Sequence, residues 1–457
     1  MSRESFIPFG QRRVVQSKKD EANSMIFREN LKGKLTDEEL FEVVQEILRD
    51  FKKVKKVLLI HPDYTRNDFS HKLVPLIYRE LKARGMKEIC SLNAGGTHRR
   101  MSEEEIRAKL GISSEMSFSR FYNHEYNDPN WLVEVGEIPA SFVAEKTEGE
   151  LEQPIPVTVN KLVTEDFDLI VALTGTLPHE AAGYAGGLKV FFPGISGPQV
   201  IDLLHWAAVL VGVPKIIGSV NNPARDVINE GSSYIFKKIK APVVSFDMVF
   251  EEEEDESVVP KGLYAGVDME GFIAAYRKAA EASSKLHVIY LDRPLDVAVQ
   301  VIGKSYDEVW TAGKGSYKLQ RPGVMKEGGE IIIYAPHISC FHSKPEMDAA
   351  LREIGYHCKD YVKHYLRLHP AFSRNVAAHV INVRGPGSYD PASGKEDFFF
   401  EVTLATRIPE KVCRAVGLGY RDPESLRKKD FTGAGRLWIE NGGKYLYDIK
   451  GEVMSEG

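Results

Sequence analysis

The residues best suited to chemistry lie between Thr174 and Trp206, where His179, Lys189 and His205 are separated by small residues and turn formers. Glycines at 183, 186, 187, 194 and 197 allow positive φ and close approach of a ligand, so a flat cofactor could lie against Gly186 and Gly187. Lys189 is flanked by Leu188, Val190, Phe191 and Phe192. In apolar surroundings an ammonium loses hydration and its pKa falls, which raises the share of nucleophilic amine and suits the lysine to covalent bonding. The bland alternative is a lysine that snorkels to the surface.

Three further stretches carry chemical potential. Asp63-x-x-Arg66 follows an apolar run, and the planar fork of Arg66 matches a carboxylate with two parallel hydrogen bonds. His98 stands in Gly95-Gly-Thr-His-Arg, after a second such run, and an imidazole there serves either structure or proton transfer. Trp310-Thr311-Ala-Gly-Lys314-Gly superficially resembles a phosphate-binding loop, but the upstream glycine of that motif is missing. Gly417-x-Gly419 and Gly433-x-Gly435 each lack the third glycine of a dinucleotide fingerprint. His337, His342, His357, His364 and His369 show no metal-ligand spacing and read as surface or capping residues.

The elements that must position these residues alternate between strand and helix. Thr36 with Glu39, and Ser102 with Glu105, have the spacing of helix capping boxes. Strands are expected at 54–60, 88–93, 168–173 and 242–250, with helices at 73–84, 102–110 and 223–239. Further on, strands are expected at 287–291, 297–302, 330–335, 398–405 and 444–449, and helices at 271–284, 305–319 and 347–354. Residues 1–35 read as an extended arm, and the acidic run Glu251–Glu256 as a solvated loop. This order predicts an α/β protein of two domains, 1–270 and 271–457, with parallel or mixed sheets. Ligands of such sheets gather at the carboxyl ends of strands, which is where Asp63, His98 and His179 fall.

Length and composition agree with that division. At 457 residues, 43% hydrophobic and 27% charged, the chain can bury two ordinary cores. A net charge of −5 gives no reason to expect nucleic acid, and no run reaches the length of a membrane span. Cys90, Cys340, Cys358 and Cys413 are scattered, which favours free thiols, and the polar amino terminus favours a cytoplasmic location. Oligomeric state is not set by the sequence.

His179, the Gly-Tyr-Ala-Gly-Gly-Leu-Lys run ending at Lys189, Pro193-Gly-Ile-Ser196 and His205 together resemble the nickel-dependent lactate racemase family. The resemblance implies two α/β domains with the site in the cleft between them. It also implies a nickel-pincer nucleotide joined covalently to Lys189, with His205 as the protein ligand of nickel and Asp63 close to the cofactor. By the same resemblance His98 and His179 are the alternating acid/bases, and Arg66 and Lys314 hold the substrate carboxylate. The implied reaction inverts C2 of a 2-hydroxy acid through hydride transfer to the cofactor and back, and enzymes that build the cofactor are the implied partners. Two positions depart from the family pattern: Trp310 stands where a tyrosine is expected, and Thr311 where a glutamine is. The lost amide opens space, so the expected substrate is longer or more polar than lactate, sugar acids included. Two alternatives stand beside this reading, a nicotinamide-dependent 2-hydroxyacid dehydrogenase and a non-catalytic relative that binds a hydroxy acid or nucleotide.

Overall fold

A computed structural model describes residues 25–253, 257–304 and 306–450. Its first sheet has seven strands, in the order Met25–Glu29, Val258–Val267, Val243–Glu252, Leu169–Gly175, Lys56–His61, Glu88–Asn93 and Arg120–Asn123. The last five run parallel, and the Met25 and Val258 strands join antiparallel at one edge. The central strands are apolar throughout because helices cover both faces. Alternate residues of each strand serve different cores. Leu58, Ile60, Ile170 and Ala172 pack with Val200, Leu203, Val227 and Ile228 of the helices Pro198–Val211 and Pro223–Phe236. Val57, Leu59, Leu169 and Val171 pack with Leu40, Val43, Leu73 and Ile77 of the helices Asp37–Leu48 and Ser70–Ala83.

The second sheet has five parallel strands, in the order Gly419–Tyr420, Phe400–Thr406, Met325–Ala335, Leu295–Val301 and Arg436–Ile439. The fold is therefore α/β, with one of its two large sheets mixed and the other parallel. Both capping boxes form, with Thr36 and Ser102 accepting from the backbone of Glu39 and Glu105 and receiving their carboxylates in return. The four cysteines are free, and among the described residues no helix is long and apolar enough to cross a membrane.

The helix Asp268–His287 packs on the Val243 and Val258 strands of the first sheet, and the His287 ring donates to the Phe250 carbonyl at 2.8 Å. After it, Val288–Leu291 pairs with Leu446–Ile449 and brings the chain's last described strand back beside the first sheet's helices. Side chains of the second half then reach into the first: Lys318 Nζ donates to the Pro178 carbonyl at 2.8 Å, Lys444 Nζ to the Glu252 carbonyl at 2.8 Å, and Lys359 Nζ to the Leu210 carbonyl at 3.0 Å.

Several expected elements differ. The helix expected at 305–319 is two short turns, Val309–Ala312 and Lys314–Tyr317, with Ser305 outside the described residues. Gly313 and Gly315 let this backbone press against Val383 and Gln300, and they weaken a continuous helix. The run Glu251–Glu256 is not a loop throughout: Glu251 and Glu252 extend a strand, and Glu251 pairs with Lys261 at 2.9 Å, while 254–256 lie outside the described residues. Of the expected arm, residues 1–24 lie outside the described residues and Met25–Glu29 is an edge strand. The stretch expected as one strand at 398–405 divides into the hairpin strand Lys395–Phe398 and the sheet strand Phe400–Thr406. The strand Val258–Val267 and the helices Lys359–Leu368 and Arg374–Arg384 were not foreseen.

Candidate active site

The loop after Lys56–His61 turns on Asp63, a buried carboxylate. Its Oδ1 accepts from the Thr65 backbone at 2.9 Å and the Thr65 hydroxyl at 2.6 Å, and its Oδ2 accepts a short bond from His98 Nδ1. Burial by itself would raise the Asp63 pKa, but the bonds from His98 and Thr65 and the charges of His98 and Arg66 outweigh it and hold the carboxyl at about 2. A carboxylate only accepts, so His98 Nδ1 carries a proton and the neutral ring keeps its lone pair on Nε2. The carbonyl of Arg66 is held by Lys109 Nζ, which also pairs with Asp68 at 3.0 Å. That leaves the loop anchored from the helix Glu103–Leu110.

His179 follows the Leu169–Gly175 strand and is in the opposite state. Its Nδ1 accepts the Ala181 backbone N–H at 3.1 Å, so the neutral ring carries its proton on Nε2. Burial, with the charges of Lys189, Arg66, His205 and Lys318, pushes its pKa well below the usual range. Lys189 is lowered to about 8, first by burial and then by Arg66. His205 sits in the helix Pro198–Val211 and donates Nδ1–H to the Ile201 carbonyl at 2.6 Å. Its Nε2 lone pair is thereby left for a ligand, and burial and Lys189 lower its affinity for a proton. His205 responds to the charge of His98 as well as of Lys189, and His179 to that of His205. The loops after three neighbouring strands thus meet in one place.

The second half contributes Lys314, whose pKa is lowered to about 8 by burial and then by Arg66, and whose ammonium lies 3.9 Å from the Tyr306 ring centre. Trp310 stacks on His379 with ring centres 4.2 Å apart and leans on His342 at 5.2 Å. His342 caps a turn, its Nδ1 accepting the Lys344 backbone N–H at 2.9 Å, but it is not a surface residue: its ring has Trp310 and Glu308 for neighbours. Thr311 turns its hydroxyl back to the Glu308 carbonyl at 3.1 Å. Pairwise electrostatic interactions link Asp63, Arg66, His98, His179, Lys189 and His205, and Arg66 links them to Lys314.

Gly186 and Gly187 work differently from the sequence expectation of a bare face for a ligand. A Cβ on Gly186 would meet the Thr176 hydroxyl at 2.5 Å and Asp247 at 2.9 Å, and one on Gly187 would meet Tyr276 at 2.9 Å. Both have positive φ, +91° and +59°. The protein's own packing demands these glycines. Asp247, fully buried, accepts from the Gly187 N–H at 2.9 Å and from the Thr174 hydroxyl. Arg225 lies 3.9 Å from the Tyr276 ring centre and donates to the carbonyls of Ala182, Tyr184 and Gly186. Together they clasp the segment that leads into Lys189.

Four site residues escaped the sequence reading: Asp247, Arg225, Glu180 and Lys318. An aspartate inside the apolar run 243–250 was a readable signal, and so was a lysine four residues after Lys314. Glu180 had no signal beyond adjacency to His179.

His205 is placed to ligate a metal. Among the described residues no three or more His, Cys, Asp or Glu side chains gather as a metal site. His205 Nε2 can supply one ligand to a metal carried by a bound group. The neutral-leaning amine of Lys189 beside it suits the attachment of such a group.

Residues 12–213 match the family described as the lactate racemase N-terminal domain. Lactate racemase of Thermoanaerobacterium thermosaccharolyticum is 28% identical over 235 residues, 49% of this chain and 52% of that protein. Lactate racemase of Lactiplantibacillus plantarum is 26% identical over 284 residues, 61% of this chain and 59% of that protein. The matches thus span little more than half the length of these curated relatives. A crystal structure of a Thermotoga maritima protein is 58% identical, covering 93% of this chain and all of that one, with a TM-score of 0.84. The lactate racemase apoprotein of T. thermosaccharolyticum shares the fold at 19% identity and a TM-score of 0.66, covering 97% of this chain and 99% of that one.

Proposed function

We propose, from the match of residues 12–213 to the lactate racemase N-terminal domain and the likeness to two lactate racemases, that the chain is a member of that family, a racemase or epimerase inverting C2 of a 2-hydroxy acid on a lysine-bound nickel-pincer nucleotide. The observation that carries the reading is the pairing of His205, whose Nε2 is freed by the Nδ1–H bond to Ile201, with the buried amine of Lys189. These residues fit the group: Lys189 would hold it covalently, and His205 would supply the protein's ligand to nickel. When bound, the group supplies a reversible hydride acceptor.

The protein's own residues do the rest. Arg66 and Lys314 hold the substrate carboxylate with two positive charges from opposite halves of the chain. His98 Nε2, backed by the ionised Asp63, takes the proton of the C2 hydroxyl. Protonated at both ring nitrogens, His179 gives its Nε2 proton to the carbonyl oxygen of the planar 2-keto acid as the alcohol re-forms on its other face, and so ends neutral. For the opposite enantiomer the two exchange roles, His98 starting protonated and His179 neutral with its lone pair on Nε2. Burial of Lys189, His179 and Lys314 excludes water, which protects the hydride from loss. Thr311 in place of a glutamine leaves space for a substrate longer than lactate, such as a sugar acid.

The test is production of the chain together with the cofactor-making enzymes, followed by intact mass, nickel content and C2-inversion assays on a panel of 2-hydroxy acids. Lys189→Ala abolishes the covalent adduct, whereas His98→Ala keeps the adduct and loses turnover. An unmodified wild-type chain under conditions that load an authentic lactate racemase refutes the reading.

A further inference from the structure

Glu180 stands next to His179 in a site whose other charged groups are mainly cations. Its carboxylate is 3.6 Å from His179 Nδ1, its side chain is 26% exposed, and no hydrogen bond from the described residues reaches it. Lys189, His205, Lys314, Lys318 and His379 all respond to its charge. It therefore lies between the two halves of the site. A carboxylate there is unfavourable for lactate, because lactate brings its own negative charge to Arg66 and Lys314 and has no further group to donate to Glu180. A carboxylate is acceptor-only and can take two O–H bonds at once, the pairing that adjacent hydroxyls of a polyol chain offer.

We infer that Glu180 is a specificity-determining residue that accepts hydrogen bonds from hydroxyls beyond C2, so that the preferred substrate is a polyhydroxylated 2-hydroxy acid of the aldonic class. This rests on the racemase reading and names the substrate class of the same site. The orientation follows from the fixed points. With the carboxylate on Arg66 and Lys314 and C2 between His98 and His179, a longer chain would reach Glu180, which adjoins His179 and whose charge acts on Lys314 and on His379 behind Trp310. Lys318, whose ammonium is fixed on the Pro178 carbonyl, keeps the Pro178–Glu180 segment from swinging away.

The experiment compares loaded wild type, Glu180→Gln and Glu180→Ala, each first shown by mass to carry the same adduct on Lys189. It measures kcat/KM for D-gluconate and D-lactate. Gluconate binding to the unloaded chain by calorimetry is a second readout that needs no turnover. The expected result is a gluconate-to-lactate ratio lowered about 10- to 100-fold, the loss of one or two hydrogen bonds to a charged acceptor, with the KM for gluconate raised and calorimetric binding weakened. Equal change for both acids shows that Glu180 only balances the lysines, and it overturns the inference. Wild-type preference for lactate in both assays also overturns it. If wild type inverts neither acid yet binds gluconate through Glu180, the inference stands for binding and the racemase reading fails.

Discussion

The loop after Glu88–Asn93 and the loop after Leu169–Gly175 each bring one histidine to the site, and the two rings are held in contrasting ways. His98 has a side chain 45% exposed and gives its Nδ1 proton to an ionised, buried Asp63. His179 is 13% exposed, receives a backbone N–H on Nδ1, and has cations around it. In their neutral forms one offers a lone pair from Nε2 and the other a hydrogen-bond-donating N–H. One ring can accept a proton at once, while the other orients an oxygen until it is itself protonated. A carboxylate partner fixes one tautomer and a backbone donor fixes the other.

The largest way to break this contrast is to remove either ring. His98→Ala and His179→Ala each lower kcat about 10²- to 10⁴-fold while the Lys189 adduct is retained, as checked by mass and steady-state kinetics. Removing the charge behind His98 comes next. Asp63→Asn keeps the shape but offers His98 a weaker acceptor, and kcat falls about 10- to 100-fold, with His98→Ala adding little on top of it in a double-mutant cycle.

Lys318→Met removes the bond to the Pro178 carbonyl and loosens the His179 side alone. It lowers kcat by about 10-fold and weakens gluconate binding by calorimetry, because the same segment carries Glu180, while Lys318→Arg restores part of both. The proton positions themselves are read by ¹⁵N NMR of labelled histidine in the unloaded chain: His179 stays neutral with its proton on Nε2 as pH falls through the range in which an ordinary imidazole charges. A His179 signal that titrates near 6.5 removes the asymmetry.

The smallest effect is on stability. Asp63 has its folded pKa depressed from 3.8 to about 2, so its contribution is present above about pH 4 and is lost as pH falls through about 2. Asp63→Asn therefore loses on the order of 2 kcal/mol at neutral pH, and chemical denaturation at pH 7 and pH 2.5 shows the difference from wild type shrinking in acid.

Much of the frame was readable because it is local. Strand Glu88–Asn93 falls where the apolar run ends, and the boxes at Thr36 and Ser102 depend on side chains three residues apart. The strand Val258–Val267 was hidden because it carries Pro260, Lys261 and glycines at 262 and 266, and its pairing with the Val243 strand decides its state. The helices at 359–368 and 374–384 lie in a polar, histidine-rich stretch, and the second is held by packing on Pro198–Val211.

The sequence by itself determined which residue types stand after which strands: Asp63 and Arg66, His98, then His179, Lys189 and His205. That followed from apolar runs and turn formers, which act over a few residues. Only the tertiary structure decided what each of them does with a proton. Asp63 meets His98 across 35 positions, Asp247 meets Gly187 across 60, and Lys318 meets Pro178 across 140. Hydrogen bonds and desolvation depend on distance in space, and no local pattern encodes them.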